Sequence, residues 1–242
     1  MRVLCVILMT SLWAGAQIPA GCDQVVVGLA KDWNSSHVSL RVYERRGKAW
    51  IPAGKSWAGR LGRRGLAWGQ GIHNQIKSSA PVKKEGDQKA PAGIFLIGGA
   101  YGYAASIARH PKLPYRRISE CDLWVEDMSS NHYNRHLVLK NPPQTTWEKK
   151  AQMRQNDYAH SLKLYIAHND AILGGKPIPG LGSAIFFHIW RDGGNQPTAG
   201  CTTMSEPMLK ALIAHLDPEK KPVYVLLPDS EYRRLKSSWN LP

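Results

Sequence analysis

The sequence predicts a mainly β domain, sandwich- or barrel-like, with a few peripheral helices. Eight short apolar runs rich in β-branched and aromatic residues recur along it, Gly (22) and Pro (16) are scattered between them as turn punctuation, and one segment alone has a strong helical period. In chain order the runs are Gln24 to Leu29, Val38 to Tyr43, Ile94 to Ile97, Leu123 to Val125, Leu137 to Leu139, Leu162 to Ala167, Ala184 to Ile189 and Val223 to Leu227. Each is short enough for a strand and bounded by turn residues. The Gly- and Arg-rich stretch from Arg45 to Lys77 fits either a long loop or short hairpins. The periodic segment follows Ser205, which is placed to cap a helix with Pro207 in its first turn. Met208, Leu209, Leu212, Ile213 and Leu216 then share one face, and Pro218 ends the helix. A second, polar and exposed helix is predicted over Thr145 to Asn156.

A chain of 242 residues, 43% hydrophobic, supports one domain with a real core. Lys and Arg number 32 against 18 Asp and Glu, a net charge of +14. Residues 41–84 carry eleven Lys or Arg and a single acid, Glu44, so the charge is a patch that attracts an anionic partner.

The compartment decides among nucleic acid, anionic lipid and anionic wall polymer. Met1-Arg2, an apolar run from Val3 to Trp13 too short to span a membrane, and Ala14-Gly15-Ala16 form the pattern of a secretory signal peptide over residues 1–16. A lipoprotein-type ending, Pro19-Ala20-Gly21-Cys22, offers an alternative cleavage after residue 21 with a lipid anchor at Cys22. No later segment is long and apolar enough to be transmembrane. Export disfavours nucleic acid as a partner and favours anionic cell-wall polymers. After cleavage Cys22, Cys121 and Cys201 remain, an odd number, and the expected arrangement in an oxidising compartment is a Cys22–Cys121 disulfide with Cys201 free. The domain is expected over residues 38–228, with an N-terminal segment over 17–37 and a tail over 229–242.

The chemically informative stretch is Gly182 to Glu206. His188 ends an apolar run, a turn-rich loop follows, and Cys201 comes 13 residues after the histidine within Thr198-Ala199-Gly200-Cys201-Thr202. A lone buried Cys is often no more than a small hydrophobe. A strand, a reversal and a return, however, would bring this thiol to an imidazole, the partner a cysteine nucleophile needs near neutral pH. The order, His before Cys, is opposite to that of papain-like enzymes.

This stretch resembles the signature of the L,D-transpeptidase catalytic domain family (the YkuD or ErfK type), in which a strand-borne His precedes a Ser/Thr-x-Gly-Cys motif. His188 matches the histidine, and Thr198-Ala199-Gly200-Cys201 the nucleophile motif. A second block, Pro81 to Phe95 (P-V-K-K-E-G-D-Q-K-A-P-A-G-I-F), is similar to the family's charged entry to a core strand, and Tyr133-Asn134-Arg135 to the end of a further family segment. The resemblance runs from roughly Val38 to Leu227. The chain departs from it at Ala199, where the family usually has His, and at Thr203, where it often has Arg or Asn.

The resemblance implies an exported enzyme of the periplasm or cell envelope acting on peptidoglycan stem peptides, with no cofactor and no metal. Cys201 would attack the L-centre carbonyl of an L,D-bond and His188 would hold it as thiolate and relay the protons. A main-chain carbonyl of Thr198 or Gly200 would orient the imidazole. Lys83, Lys84 and Lys89 are candidates for stem carboxylates, against the alternative of a solvated turn, and Trp190 for a pocket wall. Hydrolysis of stems and non-catalytic wall binding are the rival readings. His132 and His136, spaced i, i+4, lack an H-E-x-x-H pattern and read as surface histidines.

Overall fold

In a computed structural model, which describes residues 17–73 and 79–242, eight strands close into a barrel. The signal peptide expected over residues 1–16 lies outside the described residues. The strands are β1 (Gln24–Ala30), β2 (His37–Arg46), β3 (Ala49–Pro52), β4 (Trp57–Arg60), β5 (Leu66–Trp68), β6 (Ala90–Gly102), β7 (Tyr115–Arg117), β8 (Asp122–Trp124), β9 (His136–Val138), β10 (Leu162–Ile166), β11 (Phe186–Ile189), β12 (Thr202–Met204) and β13 (Val223–Pro228). Three helices, α1 (Thr146–Ala151), α2 (Glu206–His215) and α3 (Asp229–Leu235), lie among them. The ring runs β1-β13-β6-β10-β11-β12-β4-β2 and returns from β2 to β1. Closure leaves no free edge around the ring. β3 hangs on β2, β5 and β7 on β6, and β8–β9 form a separate hairpin.

All eight apolar runs fall on strands; Val25, Leu40, Ile94, Leu164, Phe187 and Val225 are among the residues of the main core, and Trp124, Tyr165 and Phe186 belong to a second, smaller cluster. The Arg45–Lys77 region holds short strands, β3 to β5, in place of a long loop. β6 is far longer than the apolar run Ile94–Ile97 because its flanks are Ala, Pro and Gly. A Cβ on Gly98 would stand 2.8 Å from the Tyr165 ring, so the bare backbone is what lets β10 lie against it.

The expected domain limits move outward. β1, within residues 17–37, pairs parallel with β13 (Val25 with Val223) and antiparallel with β2 (Val25 with Tyr43), so it closes the barrel. In place of a tail, residues 229–242 form α3 and a return that buries Tyr232, Leu235, Trp239 and Leu241; the Ile18 amide donates to the Trp239 carbonyl.

The expected Cys22–Cys121 disulfide is not formed. Cys22 is wholly buried beside β1, its thiol donating to the Gln24 carbonyl, whereas Cys121 sits at the mouth of the β8–β9 hairpin. Burial pushes the Cys22 thiol up to about 11.

α2 begins after Ser205 with Pro207 in its first turn and buries Leu209, Leu212 and Ile213, with Leu216 just beyond it; Met208 lies outside the buried face at 36% exposure. The helix expected over Thr145 to Asn156 is one short turn-and-a-half, α1, held by a reciprocal Thr145–Glu148 capping box. His136 is on β9, not a helix, and its Nε2 lies 2.8 Å from a carboxylate oxygen of Asp122.

Asp122 ties the hairpin to the barrel. It is fully buried and accepts hydrogen bonds from Arg116 of β7 and from the Ser119 amide and hydroxyl. Burial opposes its ionisation, but these donors and His136 outweigh it and hold the carboxyl down at about 2. Since the folded value is below the unfolded one, the stabilisation is complete above about pH 4 and is lost as pH falls towards the folded value. Asp122→Asn is expected to lose on the order of 2 kcal/mol at pH 7 and to show a shallower stability loss in acid, as read from urea midpoints between neutral and acid pH.

Candidate active site

His188 and Cys201 reach one cleft because of strand register. β11 and β12 are parallel, with His188 opposite Thr203, and registered residues share a face. Cys201, two positions before Thr203, therefore points to the same side as His188. Both line a cleft of about 370 Å³ that also touches Trp124, Lys163, His160 and Thr198.

The nucleophile turn is fixed by Thr198. Its hydroxyl donates to the Cys201 carbonyl at 2.7 Å and accepts from the Gly200 amide at 3.0 Å, while its own amide donates to Leu61 and its carbonyl accepts from Arg63. Gly200 has φ +155°, where a side chain is strained, and a Cβ there would sit tightly against the Lys89 carbonyl at 3.0 Å, so glycine suits this position. The Cys201 thiol donates to the Ala184 carbonyl at 3.5 Å.

The imidazole is oriented by a different carbonyl from the one expected. His188 Nδ1 lies 2.8 Å from the carbonyl of Ile189, not of Thr198 or Gly200. Nδ1 thus carries the ring proton and Nε2 is left as the base. The His160 ring stacks on it, centroids 4.9 Å apart and planes 24° apart, and is itself held by Asp157, which also pairs with Arg191. Burial foremost, with the neighbouring His160 adding to it, pushes His188 down to about 3, and burial pushes the Cys201 thiol up, against the Phe186 backbone and Lys163. Burial therefore favours the neutral forms over the thiolate–imidazolium pair that the resemblance implies.

The other expected site residues divide. Trp190 is not a pocket wall: β11 ends at Ile189, and the Trp190 ring lies against Gly194. The aromatic wall is Trp124, packed on Tyr165 (centroids 4.4 Å) and Phe186 (4.9 Å). Lys83 lines the cleft but is 2% exposed, its ammonium spent on the Lys84 carbonyl and Asp87. Lys84 is exposed and outside the cleft lining, and Lys89 donates to the Arg64 carbonyl at 2.6 Å.

The match to the L,D-transpeptidase catalytic domain covers residues 59–225, more than half of the chain and all of the cleft described above. The chain belongs to this family. Among solved structures it is similar to Bdellovibrio bacteriovorus Bd1075 (14% identity, TM-score 0.41, covering 89% of this chain and 53% of that one). It is also similar to the helical cell shape determining protein Pgp2 from Campylobacter jejuni (14%, TM-score 0.39, 85% and 48%). The chain thus spans about half the length of these two proteins. No curated protein matches it.

Within the family fold, Asn134, Ala184 and Lys163 take roles that spacing and motif do not show. Asn134 is buried with φ +53°. Its amide donates to the carbonyls of His168 and Asn169, and its oxygen accepts from the Trp124 indole and the Ala184 amide. Ala184, whose carbonyl receives the Cys201 thiol, has φ +54° and is held there by that bond. Lys163 of β10 stands opposite His188 in the antiparallel register and is 4% exposed. Thr203, the departure from the family pattern, has a buried hydroxyl with no partner among the described residues.

Proposed function

We propose that this chain is an exported peptidoglycan L,D-transpeptidase whose nucleophile is Cys201 and whose acid–base group is His188. The observation that carries this is their placement in one cleft by the β11–β12 register. Because burial favours the neutral forms of both, attack and proton transfer go together: the Cys201 proton passes to His188 Nε2 as sulfur bonds to the L-centre carbonyl carbon. The Cys201 amide is the economical donor to the oxyanion, since the Gly200 amide is already committed to Thr198. His188 then protonates the departing D-alanine amine, the C–N bond breaks and a thioester remains. An acceptor amine gives a proton to His188, attacks the thioester and returns the thiol.

Export supports this reading through the signal-peptide pattern of residues 1–16, and the basic patch supports contact with anionic wall polymers. Arg46, Lys48, Lys55, Arg63 and Arg64 are exposed, and Gly62 bridges Thr198, so the last two stand beside the nucleophile turn.

The test is incubation of the mature chain, and of Cys201→Ala, with disaccharide-tetrapeptide stems, followed by mass spectrometry. Cys201-dependent dimers lacking one D-alanine are expected. Tripeptide monomers alone would replace transpeptidation with hydrolysis, and no product from stems or intact sacculi would leave a wall-binding protein.

A further inference from the structure

Three cationic Lys or Arg side chains line the cleft, and two of them are neutralised by a named acid: Lys83 by Asp87 and Arg191 by Asp157. Lys163 is not. Its ammonium donates to the Met153 carbonyl at 2.8 Å and lies 5.7 Å from the centre of the Phe186 ring, and it makes no ion pair among the described residues. An ammonium has three donors, and a buried cation with one carbonyl for company is costly unless an anion arrives. The acids nearby are unsuited to that role. Asp157 is held by Arg191 and His160, and Glu126 is pushed towards its neutral form by burial and by Glu85. Burial lowers Lys163 to about 8, which still leaves it a cation at neutral pH.

The position matters as much as the charge. Thr203, His188 and Lys163 stand in one row across β12, β11 and β10, so Lys163 flanks the base on the side away from Thr203 and on the face that carries Cys201. A ligand reaching Cys201 brings whatever anion it has to this ammonium. Peptidoglycan stems bring carboxylates.

We propose that Lys163 is the carboxylate-binding residue of the cleft, receiving a carboxylate of the donor stem and so setting that stem beside Cys201. The identity of the donor rests on the function proposed above; the anion site itself does not. Lys163 makes no bond to the reacting carbonyl and acts by position and specificity.

The experiment compares alkylation of Cys201 by iodoacetate, an anion, and by iodoacetamide, its neutral analogue, resolved by peptide mapping from Cys22 and Cys121. In the wild-type chain the iodoacetate-to-iodoacetamide rate ratio is expected to exceed that of Lys163→Met by at least about five-fold, with Lys163→Arg restoring most of it. Equal ratios in wild type and Lys163→Met would overturn the proposal, because a cation that merely tunes the thiol, or merely braces Met153, changes both rates together. If Lys163→Met does not fold, the wild-type chain decides. N-acetyl-D-alanine should slow iodoacetamide alkylation and its amide should not, and equal protection or none overturns the proposal. With stems as substrates, amidation of the terminal D-alanine or of the diaminopimelate carboxylate tells which carboxylate is read, and loss of turnover with neither overturns it. Absence of stem turnover in the wild type beside an intact alkylation ratio would count against the proposed function alone.

Discussion

Replacing His188 with Ala is expected to cut Cys201-dependent turnover of stems by roughly 1,000-fold, with folding intact by circular dichroism. The size follows from the resting protonation. Burial lowers the imidazole to about 3 and raises the thiol, which favours the neutral pair over a stored thiolate. The proton must leave sulfur during attack, and Nε2 is the acceptor that Ile189 leaves free by holding Nδ1. The same argument predicts a pH signature. Alkylation of Cys201 by neutral iodoacetamide should climb through neutral into alkaline pH, without the plateau at low pH that a preformed ion pair produces. A low-pH plateau abolished by His188→Ala would instead show a thiolate held by imidazolium. His160 enters through His188: its stacked ring is clamped by Asp157, so it fixes the plane of the base.

Much of this arrangement was legible in the sequence, and the exceptions have physical causes. Strand identity followed apolar runs because those faces build the barrel core, whereas β4 (W-A-G-R), β7 (Y-R-R) and β12 (T-T-M) are held by backbone pairing to neighbours and carry no run to read. Spacing and family pattern point to His188 and Cys201, which line one cleft, but their protonation depends on burial, which no spacing encodes. Lys163 was hidden within Leu162–Ala167, since a lysine between leucines in an alternating strand reads as a solvent-facing position. Here that face looks into the cleft. The lysines of the Pro81–Phe95 block did stand out, and the structure uses Lys83 and Lys89 to brace turns.

Asn134→Ala is expected to destabilise the chain by about 3–5 kcal/mol. Four hydrogen bonds converge on this buried amide: it caps the carbonyls of His168 and Asn169 and holds the Trp124 indole and the Ala184 amide. Truncation leaves those groups buried without partners, and each desolvated orphan costs about 1–3 kcal/mol before relaxation. The backbone adds to this, because φ of +53° is tolerated by Asn better than by Ala. Asn134→Asp separates the contributions. It keeps an acceptor for Trp124 and Ala184 but presents a carboxylate to two carbonyl oxygens, so it should be at least as damaging as Ala. Asn134→Gly, which removes the backbone penalty alone, should recover only a minor part. Urea unfolding of the three variants gives the comparison, and a loss below about 1 kcal/mol in Asn134→Ala would show that water satisfies the orphans. The consequence for chemistry runs through Ala184, whose carbonyl receives the Cys201 thiol. Freed from Asn134, the left-handed Ala184 can relax and withdraw that carbonyl. Turnover by folded Asn134→Ala should therefore fall below wild type at temperatures where both are fully native.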